Sequence, residues 1–254
     1  MINPLTPQRL HLELLDLVLI QLSNWRWAWR GMVVTGIIGP TFSILALGLF
    51  ARGSDSVTLG YILTGGMVLN LMFENQDKVC SNFAFMRAVG TLNYFAALPV
   101  QRYSLILATV LAFLLLSLPS LAITTLVGTL FLHVQLAVSP LILLVIPLAA
   151  IPLAGIGALI GTTARTPEEA GSISMILTFI MTGLGPVVFP PDRLPEILLK
   201  IGWLSPATYA ASALRQTLLG PITPRFALDL IVLFTLAFAT LWVASRKMDW
   251  RNAG

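Results

Sequence analysis

Glu168 and Glu169 are the only neighbouring carboxylates in the chain, and such a pair invites comparison with proteases that work inside membranes. No arginine follows them at helical spacing, however, and no histidine lies downstream. Thr166 and Pro167 precede them, so the four residues read as a helix start: a hydroxyl cap, a proline in the first turn and two carboxylates at the positive end of the dipole. Other chemistries lack their parts. A P-loop needs GxxxxGK[ST] to cradle phosphates, and none of the lysines Lys78, Lys200 and Lys247 follows a glycine. There is no HExxH and no GxSxG, and His11 and His133 are the only histidines, so zinc and serine hydrolysis are not supported. The single cysteine, Cys80, excludes an intrachain disulfide and reads as a small core residue. No catalytic, metal-binding or cofactor-binding residue is assigned.

Composition explains why polar chemistry is so sparse. The chain of 254 residues is 57% apolar and 10% charged, with a mean hydropathy of +0.88, whereas a soluble domain carries about 25% charged residues. It is expected to be an all-α polytopic membrane protein. The net charge of +4 does not point to nucleic acid, because the basic residues fall between apolar runs.

Residues 1–30 are expected to form an amphipathic interfacial helix. From Pro7 to Arg30, Leu10, Leu14, Leu15, Val18 and Leu22 recur at helical spacing, Gln8, Arg9, Glu13 and Asp16 take other faces, and Trp25, Trp27 and Trp29 interleave with Arg26 and Arg30. Six spans follow, since about 20 apolar residues cross the hydrocarbon. Spans one and two occupy 31–78, with apolar runs at 31–50 and 56–73 around Arg52 and Asp55. Spans three to five occupy 103–189: Tyr103 to Leu132 with Pro119, a proline-rich run from Ser139 to Thr163, and Gly171 to Phe189. Gly157 and Gly161 form a GxxxG pair that permits close helix contact. Segment 190–224 is expected to hold two short re-entrant helices, 192–204 and one from Pro206 to Gly220, with Arg193, Lys200 and Arg215 keeping one side wet. Span six occupies 225–245, and 246–254 is a tail.

Basic residues orient the chain. With both termini in the cytoplasm, ten lie inside (Arg9, Arg26, Arg30, Lys78, Arg87, Arg102, Arg165, Arg246, Lys247, Arg251) and five outside (Arg52, Arg193, Lys200, Arg215, Arg225). Segment 82–102 is then a cytoplasmic interruption. Within it Thr91 is a helix cap, Gly90 permits a sharp entry and Pro99 ends the helix after about two turns. Leu92, Phe95 and Ala96 share an apolar face suited to a groove on another protein, and Arg87 and Arg102 flank it. Glu74, Asp77 and Asp229 are placed near span ends, which weighs against an ion-coupled secondary transporter or channel, the alternative reading.

The run RAVGTLNYFAALPVQR at Arg87 to Arg102 resembles the cytoplasmic signature of the type 2 family of ABC transporter permeases. LPEILLKIGWLSPATYAASALRQTLLG at Leu194 to Gly220 resembles the segment before that family's last span. The resemblance implies a coupling element of Arg87, Gly90, Thr91, Leu92, Phe95, Pro99 and Arg102 that docks on a separate ABC ATPase subunit, with ATP and Mg held by that partner and no cofactor here. It also implies a second permease copy, a homodimer in a bacterial inner membrane. Members often carry acids around the Gly-Thr pair, where this chain has Met86, Ala88, Val89 and Asn93, so docking leans less on ion pairs. Thr35, Thr64 and Asn70, with Ser174, Thr178 and Thr182 at every fourth residue, mark a possible substrate path for a lipid, glycolipid or drug-like cargo. Hydroxyls in membrane helices otherwise bond their own backbone.

Overall fold

In a computed structural model, residues 10–25, 29–51, 53–98 and 100–248 are described, with the side chains of Leu10, Trp25, Trp29 and Met32 excepted. Expectations for Pro7, Gln8, Arg9, Arg26, Trp27, Arg52, Pro99 and Arg251 lie outside these residues. Among those described, the chain is helical throughout, with no strand.

The helices are α1 (Leu10–Trp25), α2 (Trp29–Phe50), α3 (Ser56–Leu71), α4 (Lys78–Ala88), α5 (Thr91–Ala97), α6 (Arg102–Leu132), α7 (Ile142–Thr163), α8 (Pro167–Gly183), α9 (Glu196–Gly202), α10 (Pro206–Leu219) and α11 (Arg225–Lys247). A π-helical stretch, Met72–Asp77, joins α3 to α4 without a break. The second predicted span is therefore the first half of a 33-residue helix, Ser56–Ala88, about 50 Å long at 1.5 Å per residue. That length exceeds the hydrocarbon by about 20 Å. The inner part of this helix takes up residues 82–88, which had been expected in the interruption.

Among the described residues, five helices have the length and apolarity to cross a membrane: α2, the joined α3–α4, α6, α7 and α11. The fifth predicted span differs. Helix α8 starts at Pro167, capped by the Thr166 hydroxyl, which accepts from the Glu169 amide as read from the sequence, but it ends at Gly183 after 17 residues. Beyond it the chain turns inward, and Val187 and Val188 are buried. Gly65 on α3 makes this possible, since a Cβ there would lie 2.8 Å from the Val188 backbone.

Helix α7 is central, touching α4, α6, α10 and α11. Its small residues explain the position. A Cβ on Gly157 would lie 2.1 Å from the Gln76 carbonyl oxygen, and one on Gly161 would lie 2.3 Å from that of Cys80. The GxxxG pair thus lays α7 directly on the backbone of the π-helical stretch and α4. Cys80 is a buried core residue.

Two regions depart from expectation. Helix α1 turns Glu13, Leu17 and Gln21 towards the bundle and leaves Leu12, Leu15, Leu19 and Ile20 exposed. Gln21 donates to the Thr109 hydroxyl of α6 at 3.0 Å. Polar partners on α6 make this face the favoured inward one, while leucines that would face lipid or headgroups carry no such need. Helix α10 begins after Ser205 and ends at Gly220 as expected, but Tyr209, Ala213, Leu214 and Leu218 are buried in the core of this chain. Outward apolar residues remain on α9 and its end: Ile197, Ile201 and Leu204, which the sequence also turned outward, and Trp203. Arg215 is also turned inward, its guanidinium 3.4 Å from the Tyr61 ring centroid.

Candidate functional site

The chain leaves α4 through Val89 and reverses at Gly90, whose φ of 77° is left-handed and suits glycine. Gly90, rather than Thr91, is the N-cap of α5, and Thr91 lies within the helix. The left-handed reversal occupies the cap position, so the threonine is carried one residue inward. Helix α5 is seven residues long and stops at Leu98, which is extended (φ −87°, ψ 152°). That ending agrees with Pro99 as the next residue.

Leu92 and Phe95 do not present a docking face. They are 3% and 5% exposed and pack with Leu17, Phe83, Met86, Leu105 and Phe113. Each such burial contributes about 1.5–3 kcal/mol, so this chain's own core outcompetes a surface role. Ala96 is exposed, as are Asn93 and Ala97. The large outward residues are Phe85 at 61%, Val89 at 56% and Tyr94 at 66%. Phe85 and Tyr94, with Ile20 and Asn24 of α1, line a groove of about 420 Å³ between α1, α4 and α5.

Three contacts tie this element to the bundle. Arg87 donates to the carbonyls of Thr162 (3.0 Å) and Ala164 (2.9 Å), closing the C-terminus of α7. Arg102 donates to the Met248 carbonyl at 2.9 Å, just past the end of α11. The Gln101 amide donates to the Glu13 carboxylate of α1 at 3.0 Å. The two arginines thus neutralise negative helix ends within the chain, a role their position between spans did not reveal.

A second polar assembly lies where the π-helical stretch meets α6 and α8. Gln76 donates to the Thr178 hydroxyl at 3.0 Å and to the Ser174 carbonyl at 3.2 Å, and the Ser174 hydroxyl donates to the Asp77 carboxylate. Asn75 donates to the Ser117 hydroxyl at 3.3 Å, and Glu74 pairs with Lys78. Asn70, one turn earlier, donates to the Gly36 carbonyl at 3.0 Å and lies near Ser120 and Thr124. The proposed path residues therefore divide. Ser174 and Thr178 are buried together against Gln76 and Asp77, Asn70 is buried in a separate group, and Thr182 bonds its own Thr178 carbonyl at 2.7 Å. Thr64 likewise bonds its own Gly60 carbonyl at 2.9 Å, while Thr35 is on the exposed face of α2.

A family model described as ABC-2 type transporter matches residues 17–219. This chain belongs to the ABC-2 type transporter family. Compared with curated proteins, it has no significant match. The family match runs from α1 through α10, so in this ABC-2 transporter chain it takes in the short helix α5, its anchors Arg87 and Arg102, and the polar residues of the π-helical stretch. Glu13 and α11 fall outside it. Sequence reasoning placed Glu74 and Asp77 near a span end and passed over Asn75 and Gln76, because a polar run inside an apolar stretch reads as the end of a span. The helix continues instead, and the π turn rotates the amides inward, with Asn75 and Gln76 fully buried. The unusual run of five polar residues, ENQDK, was the available signal.

Proposed function

We propose that this ABC-2 transporter subunit is the membrane half of an exporter driven by a separate ABC ATPase, which docks on the element around α5 and supplies ATP and Mg. The observation that carries this reading is the combination of an exposed aromatic face, Phe85 and Tyr94, with rigid ties from the same element to α7, α11 and α1. A push on that face would reach three helices at once. The subunit works as one of two copies, a homodimer in the bacterial inner membrane, with both termini cytoplasmic. Its cargo is hydrophobic or amphipathic, a lipid, glycolipid or drug-like molecule, since the charges of the polar assembly are taken up within the chain, Glu74 by Lys78 and Asp77 by Ser174, and the groups around them are hydroxyls and amides.

Buried Glu74 and half-buried Asp77 are what an ion-coupled transporter would use, but Glu74 is paired with Lys78 and Asp77 is held by Ser174. Two assays separate the readings. Affinity-purified chain should retain an ATPase, and substrate movement in liposomes should require that ATPase and ATP. Transport under an ion gradient with no ATPase present would overturn the proposal.

A further inference from the structure

The end of the bundle away from α5 holds charge that the docking element does not use. A cavity of about 220 Å³ opens where α3, the loop after α8, α10 and the start of α11 meet, and its lining includes Tyr61, Thr208, Ser212, Arg215, Thr223 and Arg225. Arg215 lies over the Tyr61 ring, 3.4 Å from its centroid, and donates from one terminal nitrogen to the Val187 carbonyl at 3.2 Å. Its Nε is buried without an acceptor. No Asp or Glu among the described residues forms an ion pair with it.

Arg225 stands at the same cavity, its side chain 53% exposed and its Nε 3.8 Å from Oδ1 of Asp229. Asp229 also accepts from the Ser212 hydroxyl at 2.6 Å and from the Gln216 amide at 3.1 Å. Beside the cavity, then, one carboxylate, whose Oδ1 has no hydrogen-bond donor and faces only the Arg225 Nε at 3.8 Å, stands against two guanidiniums. A further donor is unused: the Thr208 hydroxyl, in a residue 3% exposed, has no partner.

A guanidinium out of water is costly unless its charge and its N–H groups are met. The Tyr61 face and one carbonyl meet them in part. A water molecule would satisfy the Arg215 Nε but leave the positive charge uncompensated. A cation is repelled by both arginines. What satisfies the orphaned Nε, the orphaned hydroxyl and the surplus charge together is an oxyanion, and a tetrahedral phosphate, even as a diester, splays its free oxygens out of one plane and so reaches donors on different sides.

We propose that this cavity binds a phosphate group through Arg215, Thr208 and Arg225, either as the free ion or as the headgroup phosphate of an anionic lipid in the adjoining leaflet. This site is independent of ATPase docking, and its test uses the full chain alone in a neutral detergent.

Thermal unfolding is followed with sodium phosphate against sodium chloride at matched ionic strength, and with short-chain phosphatidylglycerol against short-chain phosphatidylcholine. A saturable rise in Tm with phosphatidylglycerol, and not with chloride or phosphatidylcholine, is expected. A matching rise with sodium phosphate assigns the site to phosphate in general, and its absence assigns it to the lipid headgroup. Arg225→Gln, at a half-exposed position compatible with folding, should weaken the response about tenfold through loss of a charge-assisted contact. Arg215→Gln should abolish it. Arg193→Gln removes the same charge outside the cavity and should change nothing. If neither probe raises Tm, or if Arg225→Gln responds as wild type does, the proposal is overturned.

Discussion

The Glu13 carboxylate of α1 accepts a 3.0 Å hydrogen bond from the backbone amide of Gln101, the N-cap residue of α6. A capping box normally supplies this bond from the third residue of the same helix. Here a residue 88 positions away in the chain supplies it, so the N-terminal helix is fastened to the start of α6, just after the short helix α5. The negative charge also sits at the positive end of α6.

Glu13→Ala should therefore lower stability by about 1–2 kcal/mol, the usual cost of a lost cap acceptor with its donor left half-buried. Glu13→Gln keeps an oxygen acceptor and should recover most of the loss. Denaturation midpoints of the purified chain check both.

Replacing the exposed pair, Phe85→Asp with Tyr94→Asp, should leave the chain folded and its Tm within a few degrees of wild type, because surface changes away from special features cost little, within about 0.5 kcal/mol each. The same protein should lose stimulation of the partner ATPase by substrate. Leu92→Asp with Phe95→Asp should behave oppositely and yield little folded protein, since each places a carboxylate in the core. Parallel measurement of yield and substrate-stimulated hydrolysis separates the two pairs; full coupling in the Phe85/Tyr94 double mutant would remove that face from the docking surface.

Gly157→Ala brings a methyl group against the Gln76 carbonyl oxygen, backbone against backbone, with a 2.1 Å approach before relaxation. Its cost should be about 1–3 kcal/mol, as in other overpacked interiors. Gly171→Ala on α8 meets nothing within 4 Å and should be neutral or stabilising by up to about 1 kcal/mol through helix propensity. Unfolding of the two variants in a denaturing detergent gives the comparison.

Asp55, in the loop before α3, accepts from the Thr58 hydroxyl at 2.6 Å, and this bond, with a smaller effect from Arg193, holds its carboxyl below the usual range. A carboxyl whose pKa is lower folded than unfolded adds stability above its unfolded pKa, and that stability is lost as pH falls through the folded pKa. Between about pH 5 and pH 3, wild-type Tm should therefore fall more steeply than that of Asp55→Asn, which cannot titrate. The two profiles should differ most at the neutral end, where only wild type has the charged acceptor.

Much of this protein was decided by residue order alone. Charge-free runs of the length of a bilayer identify α2, α6 and α7, and an apolar run interrupted only near its start by Asp229 identifies α11, because hydrocarbon cannot hydrate a charge. Thr166 with Pro167, and Ser205 with Pro206, mark helix starts because the orphan amides of a first turn are a local matter. Gly90 and Pro99 delimit a short helix for equally local reasons, and the Gly157 and Gly161 spacing anticipates a close helix approach. Which face each helix buries was left to the tertiary structure. Leu92 and Phe95 are apolar in a way that suits a foreign groove or this chain's own core, and only the presence of Leu17, Phe83 and Phe113 at that place selects the core. Gln76 and Asp77 look like the end of a span until α8 supplies Ser174 and Thr178 to receive them. Arg87, Arg102 and Glu13 look like surface charges until the ends of α7 and α11 and the start of α6 arrive beside them. A polar or amphipathic side chain is stable wherever its partner is, and partners 75 to 146 residues away are brought within reach by packing, which no local pattern encodes.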